Sequence, residues 1–185
     1  MRILVACEMS GIVRDAFALR GHDALSCDLM PSERPGPHVV GDVRPLLRQR
    51  WDLVIAHPPC TRLCKSGVRW LHERNLWREM DEACEFFLAC LGANADRICV
   101  ENPIPHRYAA AKIGAYTQIV HPWQHGHGET KSTCLWLRGL PNLEPTLVVD
   151  GRRPAVHLAP PSARRSIDRS RTYTGIAAAM AAQWG

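Results

Sequence analysis

The sequence predicts an α/β fold built on a mostly parallel, doubly wound sheet. Apolar segments of strand length alternate along the chain with segments whose apolar residues recur at helical spacing. The strand segments are apolar almost throughout, which is typical of parallel strands covered by helices on both faces. Polar or reactive residues follow five of these segments, at the strand ends where such sheets bind ligands: Glu8, Asp28, Asp42, Cys60 and Glu101.

The elements of the first half follow in order. Residues 2–7 (RILVAC) predict the first strand, and a Ser10-Gly11 break separates it from a helix that Gly21 ends. The next three strands are predicted at 23–28, 38–42 and 51–59.

The second half continues the alternation. An amphipathic stretch at 76–93 predicts a long helix, and the alanine-rich residues 174–184 predict a closing helix with Thr174 as its N-cap. The remaining strands are predicted at 97–102, 117–122 and 133–139, the last two as an antiparallel pair.

The length of 185 residues predicts one domain over 1–185 with a buried core. Residues 139–172 are rich in proline and arginine and lack clear periodicity, so we expect an irregular segment that becomes ordered on binding. No apolar run approaches the ~20 residues of a membrane span, and the N-terminus lacks the pattern of a signal peptide. Eight cysteines without framework spacing fit a reducing compartment. We therefore expect a cytoplasmic protein that does not contact membranes.

The charge favours an acidic partner. The net charge is +5, and 20 of the 23 basic residues are arginine, whose planar guanidinium suits phosphate. Many enzymes carry such a charge, so it does not by itself establish nucleic-acid binding.

Two motifs carry a resemblance to a known family. HPPCTRLCKSG (57–67) resembles the PPCQ motif of DNA cytosine-C5 methyltransferases, and VENPIPH (100–106) is similar to their ENV motif. LVACEMSGIVRDAF (4–17) takes the place of their glycine-rich cofactor loop, and HGHGETKSTCLWL (125–137) is loosely similar to their QxRxR strand. The motifs come in the family's order over nearly the whole chain. More narrowly, the chain looks like the short, phage-type members of this superfamily.

The resemblance implies a Rossmann-like, S-adenosylmethionine-dependent methyltransferase fold and a DNA (cytosine-5-)-methyltransferase activity in a bacterial or phage-infected cell. Cytosine C5 is a weak nucleophile, so a thiolate must add at C6 while an acid at N3 absorbs the negative charge. Cys60 is the implied nucleophile and Glu101 the implied N3 partner. We expect burial to raise the pKa of Glu101, and Arg62 or Lys65 to lower the pKa of Cys60.

Further roles follow from the same resemblance. Lys131 and Thr133 fall on the QxRxR positions, where both arginines are missing, and are expected to support the catalytic site. The expected contacts to S-adenosylmethionine, and to S-adenosylhomocysteine as its product, are Glu8, Ser10, Gly11, Asp28, Asp42 and Pro58. The expected contacts to DNA are Arg62, Lys65, Arg69, Arg152, Arg153, Arg164 and Arg165. His121, His125 and His127 lack a matching CxxC pair, so no metal site is predicted.

The short chain leaves alternatives open. Residues 139–172 stand where full-length enzymes of this family insert a large target-recognition domain, so we expect short or relaxed sequence specificity, or help from an oligomer or partner. Single-stranded DNA, a free pyrimidine nucleotide and RNA are alternative substrates. A non-catalytic module that binds the cofactor or nucleic acid is a further alternative, although such a module needs neither Cys60 nor Glu101.

Overall fold

The computed structural model describes residues 1–154 and 170–185. Seven strands form one sheet in the order β3-β2-β1-β4-β5-β7-β6. Neighbours from β3 to β5 pair parallel, whereas β7 pairs antiparallel with both β5 and β6. The strands are β1 (Arg2–Ala6), β2 (Asp23–Asp28), β3 (His38–Val40), β4 (Trp51–Ala56), β5 (Ala95–Asn102), β6 (Gln118–Val120) and β7 (Thr133–Arg138).

This topology is the mostly parallel, doubly wound α/β sheet expected from the sequence. Each predicted strand is present, and the two late strands form the predicted antiparallel pair. The strand order reverses between β1 and β4, and the crevice beyond the carboxyl ends of strands at such a point is where open α/β sheets bind ligands. In the described part of the chain, no helix is both long and apolar enough to cross a membrane.

Helices cover both faces of the sheet. One apolar cluster includes Val54, Phe87 and Trp136, and the other, with contributions from α1 and α6, includes Phe17 and Trp184. The described helices are α1 (Ile12–Ala18), α2 (Arg44–Leu47), α3 (Val68–Glu73), α4 (Trp77–Leu91), α5 (Arg107–Ile113) and α6 (Thr174–Trp184). The sequence did not predict α2, α3 or α5, which span only four to seven residues each.

The prediction that Thr174 is the N-cap of α6 is wrong, because Thr174 is already helical and Tyr173 stands before it. His127 replaces a capping side chain: its Nε2 accepts a hydrogen bond from the Gly175 N–H at 3.0 Å. The helix can approach so closely only because residue 175 is glycine. A Cβ at that position would lie 1.8 Å from the carbonyl oxygen of His125.

Two arginines within residues 139–172 bind other parts of the chain. Between 139 and 154 the chain forms only isolated bridges, including one from Arg153 to Glu129. The Arg153 N–H also donates to the carbonyl oxygen of Gly128 at 3.0 Å. Where the description resumes, the Arg171 guanidinium binds both carboxylate oxygens of Glu33.

A fully buried arginine organises the loop between β2 and β3. The Arg14 guanidinium forms an ion pair with Asp15 at 2.7 Å. It also donates to the hydroxyls of Ser26 and Ser32 and to the carbonyl oxygen of Pro35. Since a buried charge is stable only when it is paired and hydrogen-bonded, these contacts hold α1, β2 and the loop in one arrangement.

We expect Arg14→Met to lower the free energy of unfolding by about 3 kcal/mol, because it leaves buried acceptors without their donor. Arg20→Met is the matched control, since Arg20 is exposed just beyond α1 and its loss is expected to change stability by ~0.5 kcal/mol or less. Urea unfolding followed by circular dichroism measures both. Equal losses in the two variants would contradict this account of Arg14.

Candidate active site

A buried histidine and a buried glutamate meet where β4 and β5 end. His57 directly follows β4, and Glu101 lies one residue before the end of β5. The two side chains are only 10% and 13% exposed, and His57 Nδ1 lies 2.7 Å from Glu101 Oε2. The backbone N–H of His57 donates to the carbonyl oxygen of Ala6 at 2.9 Å, which holds the pair beside the end of β1.

The expected rise of the Glu101 pKa is wrong. Burial does raise the pKa of this carboxyl, but the hydrogen bond from His57 and the charges of His57 and Lys131 together lower it below its ordinary value. The pKa of His57 shifts the opposite way: burial lowers it, while the hydrogen bond and the charge of Glu101 raise it above its ordinary value. Both shifts favour an imidazolium beside a carboxylate, an arrangement that the sequence did not predict.

Thr133 and Lys131 lie on the other side of Glu101. Thr133 begins β7, the antiparallel neighbour of β5, and its hydroxyl donates a hydrogen bond to the Glu101 carboxylate. Lys131 precedes the strand, and its charge lowers the pKa of Glu101. Both line a narrow cavity with Glu101 and with Tyr173, just before α6. The structure thus brings together three of the four residues assigned to catalysis around one carboxylate.

Cys60, the fourth, lies in a turn that continues from buried Pro58 and exposed Pro59. The backbone N–H of Cys64 donates to the carbonyl oxygen of Cys60 at 3.0 Å, which closes this turn. His106, after β5, anchors the turn from outside, because its Nε2 lies 2.8 Å from the carbonyl oxygen of Arg62. The Cys60 thiol is partly exposed, and its charge and that of Glu101 influence each other.

The expectation that Arg62 or Lys65 lowers the pKa of Cys60 is wrong. A hydrogen bond to Cys64, together with burial and the charge of Glu101, raises the pKa of the Cys60 thiol, and only Lys131 acts against this. The hydrogen bond from Cys60 lowers the pKa of Cys64 to about 5, with help from Ser66, whose Oγ lies 3.1 Å from the sulfur. These contacts favour a negative charge on Cys64 rather than on Cys60.

Glu8 serves α1 rather than an open site. Its carboxylate accepts hydrogen bonds from the Val13 N–H at 2.6 Å, the Arg14 N–H at 3.2 Å and the Ser10 hydroxyl at 3.1 Å. Because the first N–H groups of a helix lack partners within it, Glu8 acts as a cap for α1. Gly11 stands at the N-cap position with φ 70°, a left-handed conformation that favours glycine. The predicted cofactor contacts of Glu8, Ser10 and Gly11 remain predictions.

Asp28 and its neighbours fit the adenosine part of S-adenosylmethionine. Asp28 ends β2, and its Oδ1 accepts the Met30 N–H at 3.0 Å, which leaves lone pairs on the carboxylate for a ribose diol. Leu29 is 75% exposed, and Val40, at the end of the neighbouring strand, is 58% exposed. Such exposed apolar side chains beside a carboxylate suit a flat heterocycle attached to a sugar. The Asp28 carboxylate and the two apolar side chains therefore fit the adenosine part of the cofactor.

Asp42 is exposed and engaged with Arg44. It accepts the Arg44 N–H at 3.0 Å and the guanidinium at 3.0 Å, and this backbone hydrogen bond is the main reason why the pKa of Asp42 is lowered. The carboxylate is therefore charged, as a contact to the adenine amino group would require.

The residues predicted to bind DNA lie in two regions of the described chain. Arg62, Lys65 and Arg69 follow Cys60, and Arg69 pairs with Glu73 at 2.6 Å. Arg152 stacks over Trp123 at 3.7 Å, next to Arg153. Arg164 and Arg165 lie outside the described residues. Among those described, no group of three histidine, cysteine, aspartate or glutamate side chains is placed to hold a metal ion.

Sequence reasoning missed His57 and Cys64. A histidine directly before two prolines at a strand end is itself a signal for His57. Cys64 has no comparable local signal. Both gain their roles from partners that only the folded chain places beside them.

We expect the Cys60–Cys64 pair to react with iodoacetamide near pH 6, where ordinary thiols are protonated. Ser66→Ala removes a donor to the Cys64 thiolate and is expected to move the half-reaction pH upward by about one unit. Mass spectrometry of the peptide that contains both cysteines measures this shift. Cys90, whose pKa burial raises to about 12, is the internal control. An unchanged half-reaction pH would contradict the assignment.

Comparison with solved structures yields 61 matching chains. No protein-family model and no curated protein matches the chain. A crystal structure from Escherichia coli, provisionally described as a DNA modification methyltransferase encoded within a prophage, is similar with a TM-score of 0.48 and 13% identity. The similarity covers 80% of this chain and 51% of that chain, so the present chain spans about half the length of its neighbour.

Proposed function

We propose that this protein methylates C5 of cytosine in DNA with S-adenosylmethionine as the methyl donor. The observation that carries the proposal is the convergence of a polarised thiol pair and a buried carboxyl–imidazole pair at the ends of β4 and β5. Carbon methylation of a pyrimidine requires a nucleophile and a proton donor on the same ring, whereas transfer to an exocyclic amine requires no thiol.

The thiol pair supplies the nucleophile. The proton of Cys60 passes to Cys64, and the Cys60 sulfur forms a bond to C6 of the base. The electron pair of the C5–C6 double bond then moves toward C5 and the ring. Because of this shift, C5 becomes nucleophilic. After methyl transfer a water molecule takes up the C5 proton, and the electron pair of the C5–H bond restores the C5–C6 double bond as the sulfur leaves C6 with the electron pair of the S–C6 bond. Cys60 and Cys64 return to their starting state.

Glu101 acts on a different edge of the base, at N3. Its carboxyl binds the N3 edge of the base and stabilises the charge that Cys60 addition places on the ring. Thr133 and Lys131 hold the carboxyl in position and keep its surroundings positive. This contact also selects the base, since the site matches a ring with an acceptor at N3 beside an amino group.

The cofactor would lie beyond the carboxyl ends of β1 and β2, where open α/β sheets bind ligands. Asp28 would hold the ribose, with Leu29 and Val40 against the adenine. When bound, S-adenosylmethionine supplies an electrophilic methyl group. The partly exposed Cys60 leaves room for a base on the same side of the sheet.

Basic residues near the site favour DNA as the polymer that carries the base. Lys65 and Arg69 directly follow the catalytic turn, and Arg152 and Arg153 come at the start of the arginine-rich segment. So few base-reading side chains favour short or relaxed sequence specificity.

Incubation with tritiated S-adenosylmethionine is expected to label cytosine in duplex DNA. Cys60→Ala is expected to abolish the label, and Glu101→Gln to lower kcat by roughly 10²- to 10⁴-fold, because each removes one of the two groups that act on the ring. Glu79→Gln, an exposed carboxyl on α4, is the matched control with unchanged activity. Parallel reactions with single-stranded DNA, RNA and dCMP test the alternative substrates. Turnover without a covalent adduct on 5-fluorocytosine DNA would refute the role of Cys60.

Lys65→Ala is expected to weaken DNA binding nearly equally for all sequences, because a phosphate contact carries no base information. The slope of log K against log salt concentration is expected to become shallower by about one. Fluorescence anisotropy over a salt series measures both quantities. Arg50→Ala is the control, since Arg50 precedes β4 at the opposite end of the sheet. An equal change in slope for both variants would place the DNA elsewhere.

A further inference from the structure

We infer that His57 is a positioning residue that stores the proton which Glu101 delivers to N3 of the base. This inference rests on the proposed function. It adds a source for the proton that N3 receives, which Glu101 alone does not provide. His57 acts through Glu101 and has no assigned contact with the base or the cofactor.

The geometry restricts where the proton can be. His57 Nδ1 and Glu101 Oε2 are 2.7 Å apart, the short separation of a charge-assisted hydrogen bond. The backbone N–H of His57 donates to the carbonyl oxygen of Ala6, which fixes the backbone of His57 at the junction of β1 and β4. Among the described residues, the buried Nε2 of His57 has no hydrogen-bond partner. Glu101 is therefore the one described acceptor for an imidazolium proton.

A carboxylate cannot protonate N3 unless a proton is first supplied to it. The groups around Glu101 lower its pKa despite its burial and raise the pKa of His57, and both shifts favour the proton on His57, across a hydrogen bond of 2.7 Å. The imidazolium thus preserves a proton within one hydrogen bond of the carboxyl. Without His57, that proton would be lost to solvent at a lower pH.

Several charged or titratable groups face this pair from the neighbouring elements. Those that favour the imidazolium are carboxylates, and Lys131 opposes it. Thr133 donates to the Glu101 carboxylate. Among the described residues these groups are Glu8 after β1, Cys60 after β4, Cys99 in β5, Lys131 before β7, Thr133 and Cys134 in β7, and Arg171 and Tyr173 before α6.

The proton transfer balances. As Cys60 adds to C6 and negative charge develops on the ring, the Nδ1–H bond breaks and an O–H bond forms on Glu101, while the electron pair of the N–H bond stays on Nδ1. The neutral carboxyl then donates its proton to N3 and becomes a carboxylate again. When the bond between sulfur and C6 breaks at the end of the cycle, the N3 proton returns through Glu101 to His57. The pair ends with the proton with which it began.

The first test follows the histidine itself. We expect NMR titration of the ¹⁵N-labelled protein to place the pKa of His57 above 6.5, and Glu101→Gln to bring it below 6.5, because burial and Lys131 then act without the carboxylate. A His57 pKa that does not respond to Glu101→Gln would overturn the inference.

The second test is the pH profile of single-turnover methylation. His57→Gln retains a hydrogen-bond donor but no titrating proton, so the alkaline limb of the profile is expected to move to lower pH by about a unit or more. His22→Gln, before β2 at the far end of the sheet, is expected to leave the profile unchanged. A uniformly lower rate with an unchanged profile would show a merely structural role and overturn the inference. Failure of the wild-type protein to label any substrate would instead refute the proposed function.

Discussion

His57 ties the three central strands together at the end where the site lies. Its backbone N–H donates to Ala6 at the end of β1, and its side chain binds Glu101 of β5. His57 itself directly follows β4 in the chain. A parallel sheet brings the carboxyl ends of its strands to one side, but hydrogen bonds within the ladder stop where the strands stop. Beyond that point side chains must hold the loops in register. A single residue does so here, through its backbone N–H and its imidazole, and the imidazole also influences the pKa of Glu101.

Side chains also bind backbone groups at the two helices that approach the site. The glycine-rich turn of the resembled family is reduced to Gly11 in this chain, and Glu8 satisfies the free N–H groups of α1 through its side chain. At α6, His127 performs this task for Gly175. In this chain, buried polar side chains therefore bind the helix N–H groups, where additional glycines would shape the turn instead. Each such replacement fixes a backbone N–H group with a side chain instead of with the shape of the turn.

Sequence reasoning could predict the sheet because its signals are local. Apolar runs, strand-end acids and the antiparallel late pair are each visible within a few residues, and Glu101 and Thr133 meet because β5 and β7 are neighbours. The charge states could not be predicted in this way. The pKa of Glu101 depends on His57, 44 positions earlier, and the pKa of Cys60 depends on the turn that brings Cys64 to it. Burial alone predicts the wrong direction for Glu101, since it omits the partner that outweighs it.

The two arginine anchors have a consequence for how such a chain can change. Arg153 is held by Gly128, and Arg171 is held by Glu33. Lengthening a flexible connection between two fixed points costs little, about 0.6 kcal/mol for each doubling of its length. Residues inserted between these two arginines would therefore leave the strand-end side chains and α6 where they are.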